Sequence, residues 1–140
     1  RRYRSVHCGI AVAADQGLVV PVIHDAQDLS VAGLARRIDD CATRARERRL
    51  TIEDVTGGTI TVNNTGAFGS IASRPILNHP EVANVTLERV VRRPVIVAGD
   101  SIAIRSIVNV CLTFDHRAFD GLEAGRFLAA LRALLQGENA

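Results

Sequence analysis

The spacing of apolar residues changes along this chain, and that change constrains the fold more than any other feature. VHCGIAVAA (6–14) and LVVPVI (18–23) are β-rich and flank Asp15-Gln16-Gly17, which predicts two adjacent strands joined by a hairpin turn. After Asp25-Ala26-Gln27-Asp28 the period becomes helical: Leu34, Ile38, Cys41 and Ala45 share one stripe, while Arg36, Arg37, Asp40, Arg44 and Arg48 fall mostly off it. Ser30 stands where an N-cap belongs, and the helix ends before Thr51. Thr56-Gly57-Gly58 then leads into a strand, Thr59-Ile60-Thr61-Val62. NNTGAFGSIASRPILNHP (63–80) is dense in turn formers and reads as a long loop, a kind of segment that often carries function. Two further β-rich stretches, Val85 to Val97 and Ser101 to Phe114, meet through Ala98-Gly99-Asp100. The first is expected to bend near Pro94, because proline cannot donate within a ladder. Ala124, Phe127, Leu128, Leu131, Leu134 and Leu135 mark a terminal helix that runs to Gly137.

Strands with one helix between them and one at the end imply an α/β fold in two layers, a mixed sheet covered on one face by helices. The other face needs cover from preceding residues or from a neighbouring subunit. With 140 residues, 47% hydrophobic and 23% charged, the chain suffices for one core. Seventeen Lys and Arg against fifteen Asp and Glu give +2, too balanced for a nucleic-acid footprint. No apolar run approaches the ~20 residues of a membrane span. Cys8, Cys41 and Cys111 are odd in number and far apart, which fits reduced thiols in a cytoplasm better than disulfides or a C-x-x-C metal site. The chain opens on Arg1-Arg2-Tyr3 and enters a strand-like pattern almost at once. Residues 1–140 are therefore expected to be the C-terminal part of a single domain that is incomplete at its N-terminus.

Where the last strand-like run meets the last helix stands DHRAFDG, Asp115 to Gly121. Local residues leave three readings of His116 open. It can cap a turn structurally, or ligate a metal with Asp120, although His7, His24 and His79 are scattered and no third ligand lies nearby. It can also serve as a general base, since a neutral imidazole titrates near operating pH. Gly121 favours a tight backbone turn, which Asp120 can brace.

At these residues the chain resembles the dihydrolipoamide acyltransferases, the core subunits of the 2-oxo acid dehydrogenase complexes, within the chloramphenicol acetyltransferase-like superfamily. Their signature of D-H-R, two variable residues and D-G is met by Asp115-His116-Arg117 and Asp120-Gly121. HCGIAVAADQGLVVPVIHDA, GGTITVNNTGAFG and RPILNHPEVA are similar to further ordered blocks of the family, so the likeness covers nearly all the chain. The Asn-Asn and Asn-His-Pro details look most like its branched-chain members. The resemblance implies a chloramphenicol acetyltransferase-like fold and transfer of an acyl group between dihydrolipoamide and coenzyme A, with no metal. By that likeness His116 is the general base on the thiol, one ring nitrogen being held by its own backbone carbonyl.

Asp120 then either orients His116, as in a catalytic triad, or braces the loop, which is the preferred role. Asp115, Arg117 and Gly121 become loop-bracing residues. The family supplies an oxyanion donor, usually a Ser or Thr hydroxyl, from the loop that here reads Asn63-Asn64-Thr65-Gly66, and Asn63 stands at the hydroxyl's place. An Asn N–H can donate in its stead. The resemblance further implies acyl-CoA and a lipoyl domain outside this segment as substrates, and decarboxylase and dihydrolipoamide dehydrogenase subunits as partners. It implies a homotrimer or larger core whose sites lie between subunits, and a cytoplasmic location. Two other functions stay open: an assembly scaffold of the same family with little or no turnover, and a free-standing CoA-dependent acyltransferase. The scaffold gains support where the family's spaced glycines are replaced by Thr86 and Glu88, which are expected to change how the subunit packs.

Overall fold

The structure, a computed structural model, describes residues 3–15 and 17–137. Gln16 of the expected hairpin turn, and Arg1 and Arg2 of the expected mid-domain start, lie outside the described residues. These form nine strands and two α-helices: β1 (Cys8–Ile10), β2 (Val12–Ala14), β3 (Gly17–Val19), β4 (Val22–Ile23), α1 (Val31–Arg46), β5 (Ile60–Asn64), β6 (Ala83–Leu87), β7 (Val91–Val97), β8 (Ser101–Ile107), β9 (Val110–Phe114) and α2 (Gly121–Gln136). Five strands make a mixed sheet in the order β4-β1-β5-β6-β9, and β2–β3 and β7–β8 form two separate hairpins. Within the sheet β5 is parallel to both β1 and β6, while β4 and β9 run antiparallel to their neighbours. The long loop now has a physical reason. Parallel neighbours need a crossover of a dozen or more residues, and residues 65–82 provide it between β5 and β6.

Both helices start on side-chain caps. Ser30 Oγ accepts from Gly33 N at 3.1 Å at the head of α1, and Asp120 caps α2. Of the α1 stripe, Cys41 and Ala45 are buried and the helix packs on β2. On α2, which packs on β9, Ala124 is buried whereas Phe127, Leu134 and Leu135 stay exposed. The core is centred on β6: Ala83, Asn84, Val85 and Thr86 are all buried, in a row that mixes apolar and polar side chains.

Two expectations are corrected. The break in the first late β stretch falls between Leu87 and Val91, and Pro94 sits inside β7 opposite Ile104. A two-stranded ladder leaves one side of each strand unpaired, so a proline is accommodated there when its nitrogen faces that side. The chain leaves the sheet after Leu87 because Glu88 N donates to Asn109 O and Arg89 N to Ser70 O, at 3.0 and 2.7 Å. The second stretch likewise divides into β8 and β9 around Val108 and Asn109.

Candidate active site

His116 follows β9 at the sheet end marked by the Ala83–Phe114 pair. Its imidazole is exposed and rests on Phe114, ring centroids 4.7 Å apart, and Phe114 in turn stacks on Phe119 at 4.8 Å. Neither ring nitrogen makes a hydrogen bond within the described residues, so the bond to the histidine's own carbonyl, which would select a tautomer, is not formed in this conformation.

The loop around His116 is fixed by its sequence neighbours. Arg117 donates its backbone N–H to Asp115 Oδ1 at 2.9 Å, Nε to both carboxylate oxygens and an Nη to Oδ2 at 2.6 Å. These bonds, the Arg117 side chain's first, hold the Asp115 carboxyl at about 2, well below its usual range. Ala118 N–H closes a turn onto Asp115 O at 2.9 Å.

Asp120 faces the helix. Its Oδ1 accepts from Leu122 N and Glu123 N at 2.9 and 3.1 Å, and Glu123 Oε2 accepts from Asp120 N, completing a capping box. No hydrogen bond joins Asp120 to His116 among the described residues. Gly121 departs from the tight-turn expectation: it is the first helical residue of α2, and a Cβ there would meet nothing within 4 Å. The turn is made by Asp115 to Ala118 instead. Beside this loop lies a cavity of about 330 Å³ whose lining includes Arg117, Ala118 and the buried Glu81. Glu81 accepts from Thr61 Oγ1 at 2.5 Å and from Asn78 Nδ2 at 3.2 Å.

The Asn63 loop lies at the other end of the sheet. Asn63 and Asn64 close β5, in register with Thr86 and Leu87 of β6, and Leu87 pairs with Val110 at the start of β9. From the Leu87 row to the Ala83 row is four residue rises, roughly 13 Å along the strand. Four residues were expected as donors, and they are not equivalent. Asn63 is half-buried and Asn64 exposed. Thr65 Oγ1 donates its single proton to Glu88 Oε2 at 2.8 Å, which takes that hydroxyl out of the donor set. Gly66 is demanded by close approach: a Cβ would stand 2.5 Å from the Glu88 carbonyl carbon and oxygen.

Glu88 carried no site role in the sequence reading. Its signal was a glutamate at a family glycine position, followed by burial to 3% exposure and the hydroxyls of Thr65 and Ser73 within reach. Among the described residues no three His, Cys, Asp or Glu side chains gather as a metal set, and no helix is long and apolar enough to cross a membrane.

Residues 1–140 match the family described as 2-oxoacid dehydrogenases acyltransferase (catalytic domain). The chain belongs to that family. This acyltransferase-family chain is 44% identical over 133 residues to the lipoamide acyltransferase component of the branched-chain alpha-keto acid dehydrogenase complex of Bacillus subtilis, covering 95% of the chain and 31% of that protein. It superimposes, with a TM-score of 0.94 and 45% identity, on a probable dihydrolipoamide acetyltransferase from Listeria monocytogenes, over 100% of this chain and 61% of that one. A third match, at TM-score 0.91 and 34% identity over 96% of this chain and 55% of the other, is the Azotobacter vinelandii dihydrolipoamide acetyltransferase. That structure comes from a study of the role of a serine, a histidine and an asparagine in its catalytic mechanism. The mixed sheet with its helices is thus the fold of this family's catalytic cores. The chain spans 31% of the Bacillus relative's length.

Proposed function

We propose that this chain is the C-terminal part of a single acyltransferase catalytic domain, residues 1–140, which moves an acyl group between the thiols of dihydrolipoamide and coenzyme A in a site shared by two copies. One observation carries the shared site. His116 and the Asn63 loop lie at opposite ends of one sheet, roughly 13 Å apart along the strands, whereas base and oxyanion donor must both stand about 3 Å from one reacting group. A cyclic assembly uses the same two patches at every interface and brings one copy's His116 end to the next copy's Asn63 end. A homotrimer, or a larger core built of trimers, is the cyclic assembly proposed, since a cubic core, the form solved for a relative, has threefold axes.

A thiol with a reference pKa of about 8.5 is mostly protonated at neutral pH. His116, exposed where a diffusing thiol can reach it, takes that proton as the sulfur bonds to the thioester carbonyl. The Asn63 amide donates to the oxygen that becomes negative. As the intermediate collapses, the carbon–sulfur bond to the other thiol breaks and the imidazolium returns its proton to the departing sulfur. Asp115 and Arg117 lock the loop under the imidazole, and Asp120 with Gly121 sets where α2 begins. In the Azotobacter protein the histidine and asparagine under study are four positions apart, as are His116 and Asp120 here. Asn and Asp rank together as N-caps, so that pairing supports a bracing role for Asp120.

The lipoyl group is supplied by a domain outside this segment, and decarboxylase and dihydrolipoamide dehydrogenase subunits are the partners, in the cytoplasm. The scaffold reading loses its support, because Thr86 is buried within the sheet and Glu88 is satisfied inside the same chain. A free-standing acyltransferase can share the same inter-subunit site and differs in its acceptor, which transfer to dihydrolipoamide distinguishes.

The test uses the intact protein with dihydrolipoamide and acetyl-, isobutyryl- or succinyl-CoA. His116→Ala should lower kcat by about a thousandfold or more, and Asn63→Ala by about a hundredfold, with Asn63→Ser retaining most activity. Co-assembly of the two Ala variants should restore activity, since each mixed interface can pair an intact His116 with an intact Asn63. An active His116→Ala protein refutes the base, and a mixture no better than its parts refutes the shared site.

A further inference from the structure

We infer that Glu88 is a positioning residue for this acyl transfer: its buried carboxylate accepts hydrogen bonds from the Thr65 and Ser73 hydroxyls, and so pins the loop that leaves the end of β5, where Asn63 and Asn64 stand as side-chain donors. The inference rests on the acyl-transfer reading and adds to it a residue with no place in the reacting set. Three segments meet at Glu88. Its two carboxylate oxygens accept from Thr65 Oγ1 at 2.8 Å and Ser73 Oγ at 2.5 Å, its N–H donates to Asn109 O at 3.0 Å, and its backbone lies against Gly66 at a distance that admits no Cβ. Asn109 adds a tie of its own, Nδ2 donating to Ile71 O at 2.7 Å.

A buried carboxylate is costly unless hydrogen-bonded. Glu88 makes no ion pair among the described residues, and neutral donors satisfy it instead. The hydrogen bond from Ser73, with smaller help from Ser70, Thr65 and Cys111, holds its carboxyl below the usual range against the opposing push of desolvation. An ionised carboxylate can only accept hydrogen bonds, so the Thr65 hydroxyl is turned toward Glu88 and away from any oxyanion. The Asn63 donor is thereby separated from a competing hydroxyl two residues on, and the strand end that carries it is continued by a pinned loop. Displacing a reacting group by about 1 Å can cost a hundredfold in rate, so a tether of this kind bears on kcat more than on substrate affinity.

The experiment compares wild type, Glu88→Gln, Asn63→Ala and the double variant in the intact protein. It reads kcat and KM for CoA, together with amide hydrogen exchange of residues 63–73. Glu88→Gln keeps the shape and removes one acceptor, and should lower kcat by about tenfold or more with KM within about twofold. Exchange in the loop should speed up. If Glu88 acts through Asn63, the double variant should be no slower than Asn63→Ala within about threefold. Losses that multiply, or a Glu88→Gln protein with wild-type kcat and loop exchange, overturn the inference. Should Glu88→Gln fail to fold, Thr65→Val removes one of the two bonds and must give the same pattern, with Thr65→Ser restoring wild-type behaviour. A wild-type protein without transfer would sink the acyl-transfer reading, and with it the positioning role, even if loop exchange responds to Glu88→Gln and leaves a structural tether.

Discussion

The loops at the two ends of the central sheet are held by different side-chain bonds. Around His116 the loop's own side chains reach only two or three residues, Arg117 to Asp115 and Asp120 to Leu122 and Glu123. The longer ties there are the backbone bond from Asp115 N to Val82 O and the buried Thr61–Glu81 pair beneath the loop. The loop's own bonding side chains are largely exposed, apart from Asp115. At the Asn63 end the bonds join residues 15 to 38 apart, Ser73 and Thr65 to Glu88 and Asn109 to Ile71, around a carboxylate that is 3% exposed. A general base that must meet a diffusing thiol gains from an exposed perch that a few local bonds can hold. An oxyanion donor works only at a fixed distance, and it is the loop after the donor whose own side chains are tied over long range.

Substitutions at four positions probe that contrast, the largest effect first. Gly66→Ala drives a Cβ into the Glu88 backbone. Overpacking of that kind typically costs 1–3 kcal/mol, and about the upper part of that range is expected where the obstacle is main chain. Gly121→Ala meets open space and should leave the melting temperature unchanged or slightly raised. A Gly66→Ala protein as stable as wild type would mean that the two ends are equally slack. Loss of assembly in Gly121→Ala, with the subunit still folded, would place a neighbouring copy in that space.

Asp120→Ala removes the α2 cap and should cost about 1 kcal/mol, read by denaturant unfolding, while Asp120→Asn should cost little. If Asp120 oriented His116 as in a triad, Asp120→Asn would instead lower kcat by orders of magnitude.

The smallest effect belongs to Asp115. Its pKa, lowered to about 2 chiefly by Arg117, means that the pair's stabilisation is present above the unfolded-state value of about 3.9 and is lost as pH falls from there through about 2. Arg117→Leu should return the Asp115 titration, followed by NMR, to the ordinary aspartate range. It should abolish that acid-sensitive increment and leave the Glu88 end untouched. An Asp115 titration unmoved by Arg117→Leu would show that the pair does not form in solution.

The sequence by itself determined what depends on near neighbours. Ser30 was legible as a helix start, because a cap needs only an acceptor two or three residues before the helix N–H groups; Asp120, read as a brace of its loop, proved to be the cap of α2. The stripes of α1 and α2, the first hairpin and the strand before His116 follow from periodicity, and DHR with DG carried the family. The tertiary structure decided the rest. Whether Pro94 bends a strand depends on how many neighbours that strand has, and only the two-stranded hairpin answers it. That Thr65 is spent on Glu88 depends on β5 and β6 lying in parallel register with Asn64 opposite Leu87, a pairing separated by more than twenty residues. The separation of His116 from Asn63 has the same origin. β9 runs antiparallel to β6 while β5 runs parallel to it, so the C-termini of β5 and β9 point to opposite ends of the sheet, and strand direction is fixed only when the chain has closed its long-range pairings.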